Sequence, residues 1–169
     1  MNMLNDPEMK EIVDDFITEA DEIYNKIECI LEDYEDSPCS KKLEEFGQTI
    51  DRVMGAAKSI EAHKTGLYCE LGKTISYKAS QSSDKNLLDI AVAILFDTID
   101  ILKSMNKNLL IEKVEKVDGI NLDTFTTRLN WLSDKFKDIK RSSVAVAASD
   151  LDIAQSNKSI DDLLKDLGL

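Results

Sequence analysis

Glu44 and Gln48 stand four residues apart, which puts a carboxylate and an amide one helical turn from each other. Around them Leu43, Phe46, Ile50, Val53, Ala57 and Ile60 recur with a 3-4-3-4-3 spacing, the seam of a helix made for a bundle. At about 100° per residue, Glu44, Gln48, Asp51, Gly55, Ser59 and Ala62 point roughly away from that seam, to solvent. Glu44, Gln48 and Gly55 fall within about 40° of one another by the same geometry. An amide can accept from a water and donate to a neighbouring oxygen, and a carboxylate can pair with a cation. Gly55 costs up to about 1 kcal/mol against Ala in a helix, and one reason to keep it is close approach of another backbone. Most Glu–Gln pairs at this spacing are solvated helix surface, so the pair needs a second signal.

That signal lies in residues 159–169 (SIDDLLKDLGL), where Ile160, Leu163, Leu164 and Leu167 fall at i, i+3, i+4 and i+7. Asp161, Asp162, Lys165 and Asp166 take the other side, Ser159 is placed to cap, and Gly168 to end the helix. Residues 142–158 carry no helical stripe, no Pro and few large side chains, and read as a flexible linker. So short a helix is marginal alone in water. An apolar stripe behind a loose tether reads as a peptide that folds onto another protein, against the plainer alternative of a last helix docked on its own domain.

The elements that must hold these residues are helical. Residues 6–141 read as one bundle of about five helices, with 169 residues in all sufficient for one core and a tail. Pro7 behind Asn5 and Asp6 starts the first helix, whose stripe runs through Met9, Ile12, Val13, Phe16, Ala20, Ile23, Ile27, Ile30, Leu31 and Tyr34. Ser37-Pro38 breaks it, and the Leu43–Ile60 seam follows. Thr65-Gly66 is expected to turn the chain into a third helix carrying Leu67, Leu71 and Ile75. A polar loop at Ser80–Asp84 leads to a fourth helix from Leu87 to Leu109, and Asp118-Gly119 to a fifth with Leu122, Phe125, Leu129, Leu132 and Phe136 inward. Only six Gly and two Pro suit an all-α chain.

A net charge of −12 argues against nucleic acid or an anionic membrane surface as partner. No apolar run reaches the roughly 20 residues that span a bilayer, and the first residues are no signal peptide. Cys29, Cys39 and Cys69 are widely spaced and read as reduced, partly buried thiols of a cytoplasmic protein. With one histidine besides, no zinc site is expected.

The closing segment resembles the receiver-binding peptide of the CheZ family, chemotaxis phosphatases that act on phosphorylated CheY. That peptide follows (Val/Ile)-Asp-Asp-Leu-Leu-x-x-Leu-Gly-(aromatic or aliphatic). Ile160, Asp161, Asp162, Leu163, Leu164, Leu167 and Gly168 match, and Leu169 stands where an aromatic is usual. The Glu44 helix also looks like the catalytic helix of that family, Asp-x-x-Gly-Gln-x-Ile-x-Arg-x-Met. Here the run is Glu44, Gly47, Gln48, Ile50, Arg52 and Met54, with Glu in place of Asp. The resemblance implies a hydrolase of the aspartyl phosphate on a CheY-like response regulator in two-component signalling. It gives Gln48 the role of orienting the attacking water and Glu44 that of pairing with a receiver lysine. Asp51, Arg52, Gly55 and Ser59 become the docking face, and the tail supplies affinity. No cofactor on this chain is implied, because the receiver carries its own Mg, and a homodimer is among the states the family suggests.

The first half of the bundle is similar to a histidine phosphotransfer (HPt) domain, from Phe16 through a second helix carrying Arg52 and Lys58. Where that family has its acceptor His, then Lys and Gly, this chain has Gly55, Lys58 and Ser59. The acceptor is absent, and His63 in His-Lys-Thr-Gly does not replace it. A non-catalytic receiver-binding adaptor derived from such a domain is the alternative reading, and a decoy or localiser a third.

Overall fold

Six α-helices make up the regular structure of the described residues, 2–142 and 159–169, in the computed structural model, and none of those residues forms a strand. The chain is all-α. It enters through two 3₁₀ turns, Met3–Asn5 and Pro7–Met9, capped by the side chains of Asn2 and Asp6. Helix α1 (Lys10–Asp36) buries Val13, Phe16, Ala20, Ile23, Ile27, Ile30, Leu31 and Tyr34 as the stripe predicts, and adds Ile17 and Tyr24. Ile12, expected on that stripe, is 52% exposed. It sits on the flank of the face that Val13 and Phe16 already fill.

Helix α2 (Ser40–Ser59) buries Leu43, Phe46, Ile50, Val53 and Ala57. The expected turn at Thr65-Gly66 is corrected, because both lie inside α3 (His63–Ser80) and are buried. The chain turns earlier, at Ile60–Ala62. Glu61 adopts φ 61°, and the Ala62 N–H returns to the Ala57 carbonyl at 2.9 Å. Gly66 serves packing instead: a Cβ there would meet the Lys58 stem at 3.3 Å. Glu115, from the segment before α5, caps the start of α3 by accepting from the Lys64 and Thr65 N–H groups at 3.2 and 2.7 Å.

Helix α4 (Lys85–Glu112) is capped by Asp84 and ends with Lys113 in the left-handed conformation, as φ 58° shows. Gly119, at φ 75°, marks the turn before α5 (Leu122–Ser142), and α6 (Ile160–Leu167) is the last element. The linker expected at 142–158 lies outside the described residues from 143 onward. Helix α2 packs between α1 and α3, α4 backs both α1 and α3, and α5 lies along α4. Helix α6 rests on α3 and α5.

The tightest of these contacts joins α2 and α3. A Cβ on Gly47 would come 2.8 Å from Ser76 Oγ and 3.0 Å from the Tyr77 ring. From the other side, a Cβ on Gly72 would meet Ile50 Cδ1 at 3.0 Å. Each glycine thus receives a side chain of the facing helix. Gly55 differs, having nothing within 4 Å of where its Cβ would lie.

The two glycines of α2 should therefore respond with opposite sign to the same change. Gly47→Ala should lower stability by about 1–2 kcal/mol, since overpacking outweighs the gain in helix propensity. Gly55→Ala should raise it by up to about 1 kcal/mol. Urea unfolding of both variants checks this, and equal shifts would mean that α2 and α3 do not approach as described.

Candidate functional site

Both flanks of α2 are occupied, and this leaves one face open. On the α3 side Lys73 donates to Asp51 at 2.8 Å, and the lysine side chain is only 17% exposed. On the α1 side Arg52 lies 3.5 Å from Glu19, with both side chains more than 60% exposed. An ion pair so exposed contributes at most about 1 kcal/mol and is readily exchanged for another partner. Asp51 and Arg52, read from sequence as parts of one docking face, thus sit at its two edges, each tied to a neighbouring helix.

Between those edges Glu44 and Gln48 are exposed and make no hydrogen bond or ion pair among the described residues. Two turns further on the surface is flat at Gly55 and continues to the exposed Ser59, whose hydroxyl donates to the Ala56 carbonyl at 2.7 Å. Ala62 is a correction. Expected on this face, it is buried, because α2 ends at Ser59 and the chain has already turned inward.

Three neighbours of the face escaped the sequence reading. Glu19 and Lys73 are paired with α2 residues only through tertiary structure, and no local pattern announces them. Ile12 is the third. The Glu19–Arg52 contact fixes an antiparallel register in which Ile12, one heptad before Glu19, comes level with Ser59, one heptad after Arg52.

The arrangement can present an amide and a carboxylate, unencumbered, to a second macromolecule. Lys58 lies 3.7 Å from the buried Glu70 and is engaged there. His63 is the exposed first residue of α3. Burial pushes the Cys69 thiol far up, and Cys29 and Cys39 prove exposed rather than partly buried. Among the described residues no three His, Cys, Asp or Glu come together as a metal site, and no helix is long and apolar enough to cross a membrane.

The second sequence signal lies elsewhere on the bundle. Ser159 caps α6 by accepting from the Asp162 N–H at 3.2 Å, and Gly168 closes it with φ 76°, both as the pattern predicts. The stripe is not free, however. Ile160, Leu163 and Leu164 are buried where α6 rests on α3 and α5, and Leu167 is half-buried. Asp162 faces solvent, whereas Asp161 accepts from Ser133 Oγ at 3.0 Å and from Lys137 Nζ, both on α5. The alternative weighed in the sequence, a last helix docked on its own domain, describes this arrangement.

The Lys137 ammonium holds the Asp161 carboxyl below the usual carboxylate range. A depressed folded-state pKa means that this contribution exists above the unfolded pKa of about 3.9 and is lost as pH falls through the lower folded value. Asp161→Asn should therefore lower the melting temperature at neutral pH and lower it by less near pH 3, where part of the contribution is already lost. Calorimetry at the two pH values checks it; an equal effect at both would remove the charge from the contact.

No family model, curated protein or solved structure matches this chain, so the site rests on its own geometry.

Proposed function

We propose that this protein is a CheZ-like phosphatase that accelerates loss of phosphate from the aspartyl phosphate of a CheY-like receiver. The observation that carries the reading is the exposed Glu44–Gln48 pair on the open face of α2, beside the flat surface at Gly55. Phosphoryl transfer depends mostly on positioning and charge stabilisation, and a Gln that orients water is a recurrent device in it. Gln48 accepts from the attacking water and donates to a neighbouring oxygen. Water adds to phosphorus, the bond to the receiver's aspartate oxygen breaks, and inorganic phosphate leaves. Glu44 pairs with a receiver lysine and opens the site to Gln48. The receiver's own Mg balances the phosphoryl charge, so this chain needs neither metal nor nucleophile.

Ile12 and Gly55 fit this reading as the contact surface of the docked receiver, with Arg52 free to leave Glu19 for a receiver carboxylate. The HPt-like bundle is in this account a scaffold whose phosphotransfer chemistry is absent.

Decay of phosphoreceiver at saturating protein tests the catalytic role apart from binding. Gln48→Ala should leave affinity nearly intact and lower the rate by about 10²-fold or more, the scale for loss of a positioning or charge-stabilising group. Glu44→Ala should lose both rate and affinity. An unchanged rate for Gln48→Ala at saturation would leave the adaptor reading standing and remove the phosphatase.

The docking face has its own test. Gly55→Leu fills open space and should keep or raise the melting temperature, while a bulky side chain should obstruct the receiver and weaken its binding at least about tenfold. Normal dephosphorylation by that variant would place the receiver on another face.

A further inference from the structure

We propose that α6 is a releasable latch: the α3–α5 groove and the receiver compete for the same apolar stripe of the tail. The inference rests on the receiver-binding reading above and adds a regulatory layer to it. Its basis is the location of Ile160, Leu163 and Leu164. These are the side chains that a receiver would have to take, and they are buried against the bundle. One face of an eight-residue helix cannot serve two partners at once. Engagement of the receiver therefore requires the tail to leave the groove.

Three features suit the contact to release rather than to permanence. The helix is two turns long, below the length that holds itself in water, so it is ordered only where something covers its stripe. Its polar attachment includes Asp161, which accepts from Ser133 and from the exposed Lys137. That attachment lies at an exposed lysine, where ion pairs are weak and screened by salt. The groove also stands on elements other than α2, so the latch withholds the anchor without covering Glu44 or Gln48.

A protein whose anchor is free only a fraction of the time binds its partner more weakly by that fraction. Loosening the latch should thus strengthen receiver binding, the opposite of what loss of a binding residue would do.

The test uses the full chain with Lys137→Glu, alone and combined with Ser133→Ala, both on α5 and apart from the stripe and the α2 face. Amide exchange across residues 160–167 reports the latch directly. Affinity is measured against a CheY-type receiver held in its active form by beryllofluoride and magnesium. In the unaltered protein the α6 amides should exchange at least tenfold more slowly than in a synthetic 159–169 peptide. The variants should lose that protection, bind the receiver up to about tenfold more tightly, and keep the same phosphate decay rate at saturation. Peptide-like exchange in the unaltered protein overturns the latch. So does unchanged or weaker receiver binding by a variant whose tail has been released, even where dephosphorylation persists. If neither protein binds the receiver, the receiver reading falls and takes the competition with it, whatever the exchange data show for docking.

Discussion

The close approach of α2 and α3 governs everything that α2 displays. Gly47 accepts the Ser76 and Tyr77 side chains of α3, and Gly72 accepts Ile50 of α2, so the two helices interlock through absent side chains. Such a contact has a definite rotational setting. Turning α2 by a fraction of a turn would drive Ile50 off Gly72 or press a larger residue into Tyr77. The Asp51–Lys73 pair sits in the same antiparallel register and adds a polar stop on that flank. With the seam of α2 committed to the core, only one arc remains for solvent. Glu44, Gln48, Gly55 and Ser59 occupy it because of what Gly47 and Gly72 permit.

The run from Glu44 to Met54 therefore contains two glycine environments with different physics. Gly47 is small because α3 fills the space, and it is required by the fold. Gly55 is small with nothing above it, so the fold gives no reason for it. Since a mid-helix glycine weakens the helix, an unfilled one on an exposed face points to something outside the chain. This contrast is the strongest physical support for a docking surface on α2. It does not depend on the resemblance to any family.

Much of the fold was legible because heptad-like spacing constrains helices strongly. The α2 seam, the Asp84 cap, the Gly119 turn and the Ser159–Gly168 bounds of α6 all follow local rules. What local rules could not reveal was tertiary. Thr65-Gly66 has turn composition yet lies in a helix, because Lys58 needs the room above Gly66 and Glu61 makes the turn without a glycine. Ile12 has the right spacing for the core but falls on its flank. Of the candidate site, exposure of Glu44, Gln48, Gly55 and Ser59 was readable from periodicity. The pairing of Asp51 and Arg52 with Lys73 and Glu19 was not, since it depends on helix register. Nor was the docking of α6, because an apolar stripe specifies that it will be covered without specifying by what.

The proposed chemistry and the proposed anchor make opposite demands on the chain. A glutamine that orients water must keep its reach to within a fraction of an ångström, so its helix should be held on both sides. Helix α2 meets this need, wedged between α1 and α3 with its seam fully buried. An anchor that changes partner must instead be held weakly, for each partner it leaves adds to the free energy of the next capture. An eight-residue helix with three buried side chains and an ion pair to an exposed lysine is suited to that. The same chain thus concentrates its packing where geometry matters and keeps it sparse where exchange matters. Stiffening α6 onto α3 and α5 would add stability to the bundle while taking the anchor out of use. Under this reading, the shortness of the tail helix is a requirement of function rather than a defect of packing.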